Sequence, residues 1–116
     1  MSFKQTVVFD FDGVIHEYKT KWSGVDIISD GPVKGVKEAI DEIRKYYRVV
    51  VVSSRCSDQH GLIAIEKWLN KNGIIVDDVC SEKPPAIVYI DDRAITFDGN
   101  PSTLLGKIKD FKPWNK

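Results

Sequence analysis

Three stretches of the chain are almost wholly apolar and then stop at polar residues. TVVFDF (6–11), RVVVVSS (48–54) and AIVYIDD (86–92) each read as a strand, the second a β-branched run of the kind covered on both faces. Between them the spacing turns helical. GPVKGVKEAIDEIRKYY opens with Pro32 at a helix start, and Val33, Val36, Ile40, Ile43 and Tyr47 recur at helical intervals. SDQHGLIAIEKWLNKNG carries a serine or aspartate cap, Leu62, Ile65 and Leu69 on one face, and Gly73 as a stop. IIVDDVC (74–80) predicts a short strand, and PSTLLGKIKDF (101–111) a last helix with Pro101 near its first turn. HEYKTKWSGVDIISDG (16–31) is a polar loop without a period. Strands alternating with helices predict an α/β fold: a three-layer, doubly wound, mainly parallel sheet with helices on both faces.

Composition narrows the partners more than the fold. The 116 residues suit one domain, and 17 basic against 17 acidic residues leave no net field to attract a nucleic acid or an anionic membrane. Cys56 and Cys80 make neither a disulfide framework nor a zinc pattern, so a reducing, cytoplasmic setting is expected. MSFKQTVVFDF does not read as a signal peptide, and no apolar run approaches the ~18 residues of a membrane span.

In a parallel sheet of this kind ligands bind beyond the carboxyl ends of the strands. The three apolar runs end there in VVFDFD, VVVVSS and VYIDD. Asp10, Asp12, Asp91 and Asp92 brought to one edge repel one another unless a cation sits among them. Oxygen ligands without a histidine or cysteine cluster suit a hard ion, and Mg²⁺ fits best.

DFDGV at 10–14, Ser53 of VVVVSSR, Lys83 of SEKPPA and the pair in YIDDR at 91–92 resemble, in order, the four motifs of the haloacid dehalogenase (HAD) superfamily. The resemblance spans residues 6 to about 99 and implies a single HAD-like Rossmannoid phosphohydrolase domain over 1–116. It implies Asp10 as the nucleophile that forms an aspartyl-phosphate, and Asp12 as the group that protonates the leaving oxygen and then activates water. For that role the pKa of Asp12 must be raised by surrounding negative charge. Asp10, Asp12 (through its backbone carbonyl), Asp91 and Asp92 would hold Mg²⁺, with Asp92 favoured over Asp91 as the direct ligand. Ser53 would donate to the phosphoryl group and Lys83 would neutralise charge. Gly13, through free backbone N–H groups, with Ser54, Arg55 and Arg93, would contact the substrate. The SxR and DDR endings are similar to those of polynucleotide 3′-phosphatases, so the implied substrate is a polynucleotide 3′-phosphate or a sugar or nucleotide phosphate. A nucleic acid enters only as substrate.

Two features set this chain apart within the resemblance. Lys83 and Asp91 are eight positions apart with two prolines between, too few to descend a full strand, cross neighbours and climb again. A shortened strand around 76–80 is therefore expected. Neither the 14–47 nor the 55–82 interval has room for a cap domain, so the site is expected to be open, covered by a macromolecular substrate or by a second copy in a homo-oligomer. The loop HEYKTKW, with His16, Tyr18, Lys19, Lys21 and Trp22, either contacts substrate or packs its rings on the domain. A phosphoacceptor receiver has similar residue types in a different order. A catalytically silent module binding Mg²⁺ and a phosphorylated ligand is the remaining alternative.

Overall fold

The computed structural model describes residues 3–115. Strands β1 (Thr6–Asp10), β2 (Arg48–Val52), β3 (Asp78–Cys80) and β4 (Val88–Ile90) form one parallel sheet in the order β3-β2-β1-β4. Helices α1 (Val36–Arg44) and α2 (Gln59–Lys71) link the first three, and α3 (Leu104–Asp110) follows a 3₁₀ turn at Pro101–Thr103. Among the described residues no helix is long and apolar enough to cross a membrane.

Strand pleating divides the valines between two faces. Val7, Phe9, Val49 and Val51 join Val36 and Ile40 of α1 and Ile65, Trp68 and Leu69 of α2 in the main core. Val8, Val50 and Val52 point the other way and meet Cys80 and Ala86. The expected third layer is therefore absent among the described residues: both long helices lie on one face, and the 81–87 connector covers the other. Handedness explains this. The steps β1→β2 and β2→β3 move in one direction, so crossovers of one hand put both helices on the same side. The step β3→β4 reverses direction and must pass over the opposite face. Its seven residues, two of them proline, are too few for a covering helix. Helix α3 adds no layer either, since none of its residues is buried and Leu105 and Ile108 face solvent.

The short β3 resolves the question of Lys83. Register sets Cys80 level with Asp10, and Val88 level with Val7, three residues lower. Three strand spacings and three rises make a diagonal of about 18 Å, which eight residues at ~3.3 Å cover with slack. Both flanking strands are cut to three residues, and β4, read as the fuller of the two, is an exposed edge.

Helix α1 begins at Val36, later than Pro32 suggested. Gly31 to Val33 are tied to the loop after β1 instead: Glu17 N–H donates to Gly31 O (3.0 Å) and Val33 N–H to Ile15 O (2.8 Å). Helix α2 matches its sequence signals, with Asp58 capping the His60 N–H and Gly73 in the left-handed region at φ +68°.

Candidate functional site

The chain order reverses between β1 and β4, and that switch point is where an open parallel sheet leaves a crevice at its carboxyl edge. Phe9 pairs with Ile90, which makes Asp10 and Asp91 the next rung. Carboxylate oxygens of Asp10, Asp91 and Asp92 lie within 4.8 Å of one another. Burial, then the charges of Asp91 and Asp92, raise the Asp10 pKa from 3.8 to about 7, while Asp12 contributes least to that rise. The repulsion at this edge thus comes mainly from β4 and only slightly from the other half of the Asp-x-Asp motif.

The remaining contacts separate the two β4 aspartates. Asp91 is engaged: Oδ1 accepts the Arg93 N–H (2.8 Å) and Oδ2 the Lys83 ammonium (3.2 Å). Asp92 Oδ1 is buried with no hydrogen-bond partner among the described residues. A buried carboxylate oxygen left unpaired is costly and calls for a cation or a donor. Two ligands of one Mg²⁺ stand at most about 4.2 Å apart, so the three-aspartate set needs only a small closure to accept the ion. Oxygen-only donors and an orphaned Asp92 oxygen fit Mg²⁺, with Asp10 and Asp92 as the carboxylates that would hold it.

Gly13 serves this arrangement differently from expectation. Its N–H donates to His16 O (2.8 Å), and the N–H groups of Val14, Ile15 and His16 all turn to Phe11 O, so none of these is free to cradle a phosphate. The glycine is required by space and conformation. Its φ is +88°, and a Cβ there would collide with the Asp92 carboxylate.

Asp12 also departs from expectation. It lines the same cavity as Asp10, yet its carboxylate points to two buried partners: His16 Nδ1 at 2.8 Å and Arg55 Nε at 2.9 Å. His16 Nε2 accepts the Asp30 N–H (3.1 Å), so the ring proton sits on Nδ1 and is donated to Asp12. Burial pushes the Asp12 pKa up, but the hydrogen bonds from His16 and Arg55 outweigh it and the net shift is downward. The expected raised pKa is overturned: the crowd of negative charge acts on Asp10, and Asp12 is held as a carboxylate. Its backbone carbonyl accepts none of the turn's hydrogen bonds, which go to Phe11 and His16.

Arg55 is not a surface phosphate fork. It is 1% exposed; beyond Asp12, its Nη1 donates to the carbonyls of Gly24, Val25 and Ile27 (2.8–3.1 Å), and its guanidinium lies 4.6 Å from the Trp22 ring centroid. This one side chain ties the loop after β1 to the end of β2. His16, in the loop read either as substrate contact or as rings packed on the domain, takes the second course: it is buried at 1%, stacked on Phe11 and edge-on to Trp68 and Tyr18.

The other expected residues gather around one cavity of about 220 Å³, lined by Asp10, Asp12, Tyr18, Trp22, Ser53, Ser54, Asp92 and Arg93. Ser53 Oγ accepts the Arg55 N–H (3.1 Å) as the cap of a 3₁₀ turn at Ser54–Ser57, which leaves its hydroxyl proton free to donate. Ser54 and Arg93 are exposed members of the lining, and the Arg93 guanidinium makes no ion pair among the described residues. Lys83 reaches the cluster through Asp91. Cys56 is half-buried, and burial lifts its thiol to about 11, which leaves it a poor nucleophile.

Two residues at the far end of the chain join this region without any sequence signal. Trp114 Nε1 donates to Gly13 O (2.7 Å) and Asn115 Nδ2 to Glu17 O (3.2 Å), so both lie beside the Asp-x-Asp loop.

No protein-family profile matches the chain, and neither curated proteins nor solved structures give a match.

Proposed function

We propose that this protein is a Mg²⁺-dependent phosphohydrolase that cleaves a phosphate monoester through an aspartyl-phosphate on Asp10. The observation that carries the proposal is the meeting of Asp10 with the 91–92 pair from separate strands, with Asp92 Oδ1 buried and unpaired. A divalent ion there would supply positive charge that ionises Asp10 and draws density from the phosphoryl oxygens. Asp10 attacks phosphorus, and the bond to the leaving oxygen breaks with its electron pair on that oxygen, which takes a proton from solvent water at the open mouth of the cavity. Ser53 donates to a phosphoryl oxygen and Arg93 offers its guanidinium at the cavity mouth. Lys83, paired with Asp91, keeps that carboxylate in place and offsets part of the local charge. Asp12, held ionised by His16 and Arg55, accepts the proton of the water that cleaves the aspartyl-phosphate.

One observation favours the binding-only alternative. An Asp12 held as carboxylate has no proton to give an alkoxide leaving group, so a module that binds Mg²⁺ and a phosphorylated ligand without turnover matches this state of the site. Hydrolysis of an aryl phosphate separates the two readings, since its leaving group departs without a general acid. Para-nitrophenyl phosphate and a panel of phosphate esters are assayed with Mg²⁺ and with EDTA, beside Asp10→Asn. Turnover that needs both the metal and Asp10 supports the enzyme. Its absence across the panel leaves the binding module.

A further inference from the structure

We propose that Tyr18 and Trp22 form a fixed aromatic shelf that selects phosphate esters whose leaving group carries a flat heteroaromatic ring, nucleotides being the natural class. The inference rests on the proposed hydrolase site and names what that site takes. The cavity, at about 220 Å³, is smaller than the ~300–1,000 Å³ of pockets that engulf a ligand. It suits a phosphoryl group and an ion, and the rest of the substrate must project through the mouth. Trp22 stands there 54% exposed, so burial does not account for its position.

The shelf is held by the same two buried side chains that hold Asp12. Arg55 packs its guanidinium on the Trp22 ring, and His16 meets the Tyr18 ring edge-to-face at 5.9 Å. Arg55 is itself anchored by three carbonyls of residues 24–27, which fixes the Trp22 ring before any ligand arrives. Tyr18 and Lys21 are in the left-handed region at φ +59° and +66°. Bulky non-glycine residues avoid that region, so the loop is held in a costly shape that the surrounding contacts enforce. Stacking on an aromatic face tolerates any base, because every base has a π-face. Arg93 at the same mouth supplies a cation for the phosphate of the stacked ester.

Adenosine 5′-monophosphate and ribose 5′-phosphate differ at C1, which carries the base in one and a hydroxyl in the other, and both release a primary alcohol. Their hydrolysis with Mg²⁺ is compared for the wild type, Trp22→Leu and Trp22→Phe. The wild type is expected to favour the nucleotide in kcat/KM by about tenfold or more, with the difference in KM. Trp22→Leu brings the ratio toward one, and Trp22→Phe restores most of it. The same two esters are titrated calorimetrically into Asp10→Asn protein with Mg²⁺, with and without Trp22→Leu, which reads ring preference without turnover. Hydrolysis that treats both esters alike, or a preference that survives Trp22→Leu, overturns the shelf and leaves the hydrolase standing. Trp22-dependent preference in binding without turnover of any ester keeps the shelf and overturns the hydrolase. Binding of neither ester overturns the shelf.

Discussion

Replacing Asp10 with asparagine should make the metal-free protein more stable at neutral pH, even as it removes the proposed nucleophile. Burial and the neighbouring Asp91 and Asp92 raise the Asp10 pKa from 3.8 to about 7. Below pH 4 the carboxyl is protonated in both folded and unfolded chains and costs nothing. As pH rises through 4 the unfolded chain gives up this proton while the folded chain keeps it. Stability therefore falls until pH passes about 7, where both forms are ionised and the loss is complete. About 3 pKa units at 1.36 kcal/mol each is about 4 kcal/mol, and screening of this half-buried group brings it to about 2 kcal/mol. For 116 residues that is a gain in Tm of about 8 °C for Asp10→Asn at pH 8 in EDTA, shrinking toward zero near pH 4. Thermal unfolding followed by circular dichroism at the two pH values reads both numbers. Mg²⁺ should reverse the order, because saturation at about 100 times Kd stabilises the wild type by about 2.7 kcal/mol and the asparagine variant less. An Asp10→Asn protein no more stable than wild type at pH 8 in EDTA refutes the claim that burial and the neighbouring carboxylates penalise an ionised Asp10.

Three further outcomes follow from the same geometry. Mg²⁺ affinity should fall about tenfold for each pH unit below 7, since Asp10 must release its proton to bind, and calorimetric titrations at pH 5.5, 6.5 and 7.5 would show a flat profile if it need not. Gly13→Ala drives a methyl group into the Asp92 carboxylate from a backbone at φ +88°, and should weaken Mg²⁺ by about tenfold or more while the far-UV spectrum stays native; unchanged affinity would remove Asp92 from the ion. Arg55→Met strips Asp12 and three loop carbonyls of their donor and should destabilise the fold by about 3–5 kcal/mol in urea, whereas a loss under 1 kcal/mol would contradict the clamp.

What could be read from the sequence was local and periodic. The three apolar runs gave strands ending at Asp10, Val52 and Ile90, and the spacing of Val36 and Ile40 marked the buried face of α1. The meeting of Asp10 with Asp91 and Asp92 was legible because parallel strands end at a common edge. The environment of Asp12 was not. One of its two partners, Arg55, lies 43 positions away, and the segment between offers no period that would bring them together. His16 carried a fainter signal, since it follows Asp12 by four residues across a glycine turn, but its loop read equally as substrate contact or as rings packed on the domain. Trp114 reaches Gly13 across 101 positions, beyond any local pattern. The missing third layer came from chain direction, which composition does not record.

The connector at 81–87 combines two duties that larger folds assign to different segments. It sets Ala86 against the cluster of Val8, Val50 and Val52, and it also carries the ammonium that steadies Asp91. Lengthening it to shelter the valines better would let the lysine drift, and trimming it past its slack would pull β4, and the acidic pair after it, away from β1. Shelter and charge placement share one tether here, so its length is bounded on both sides.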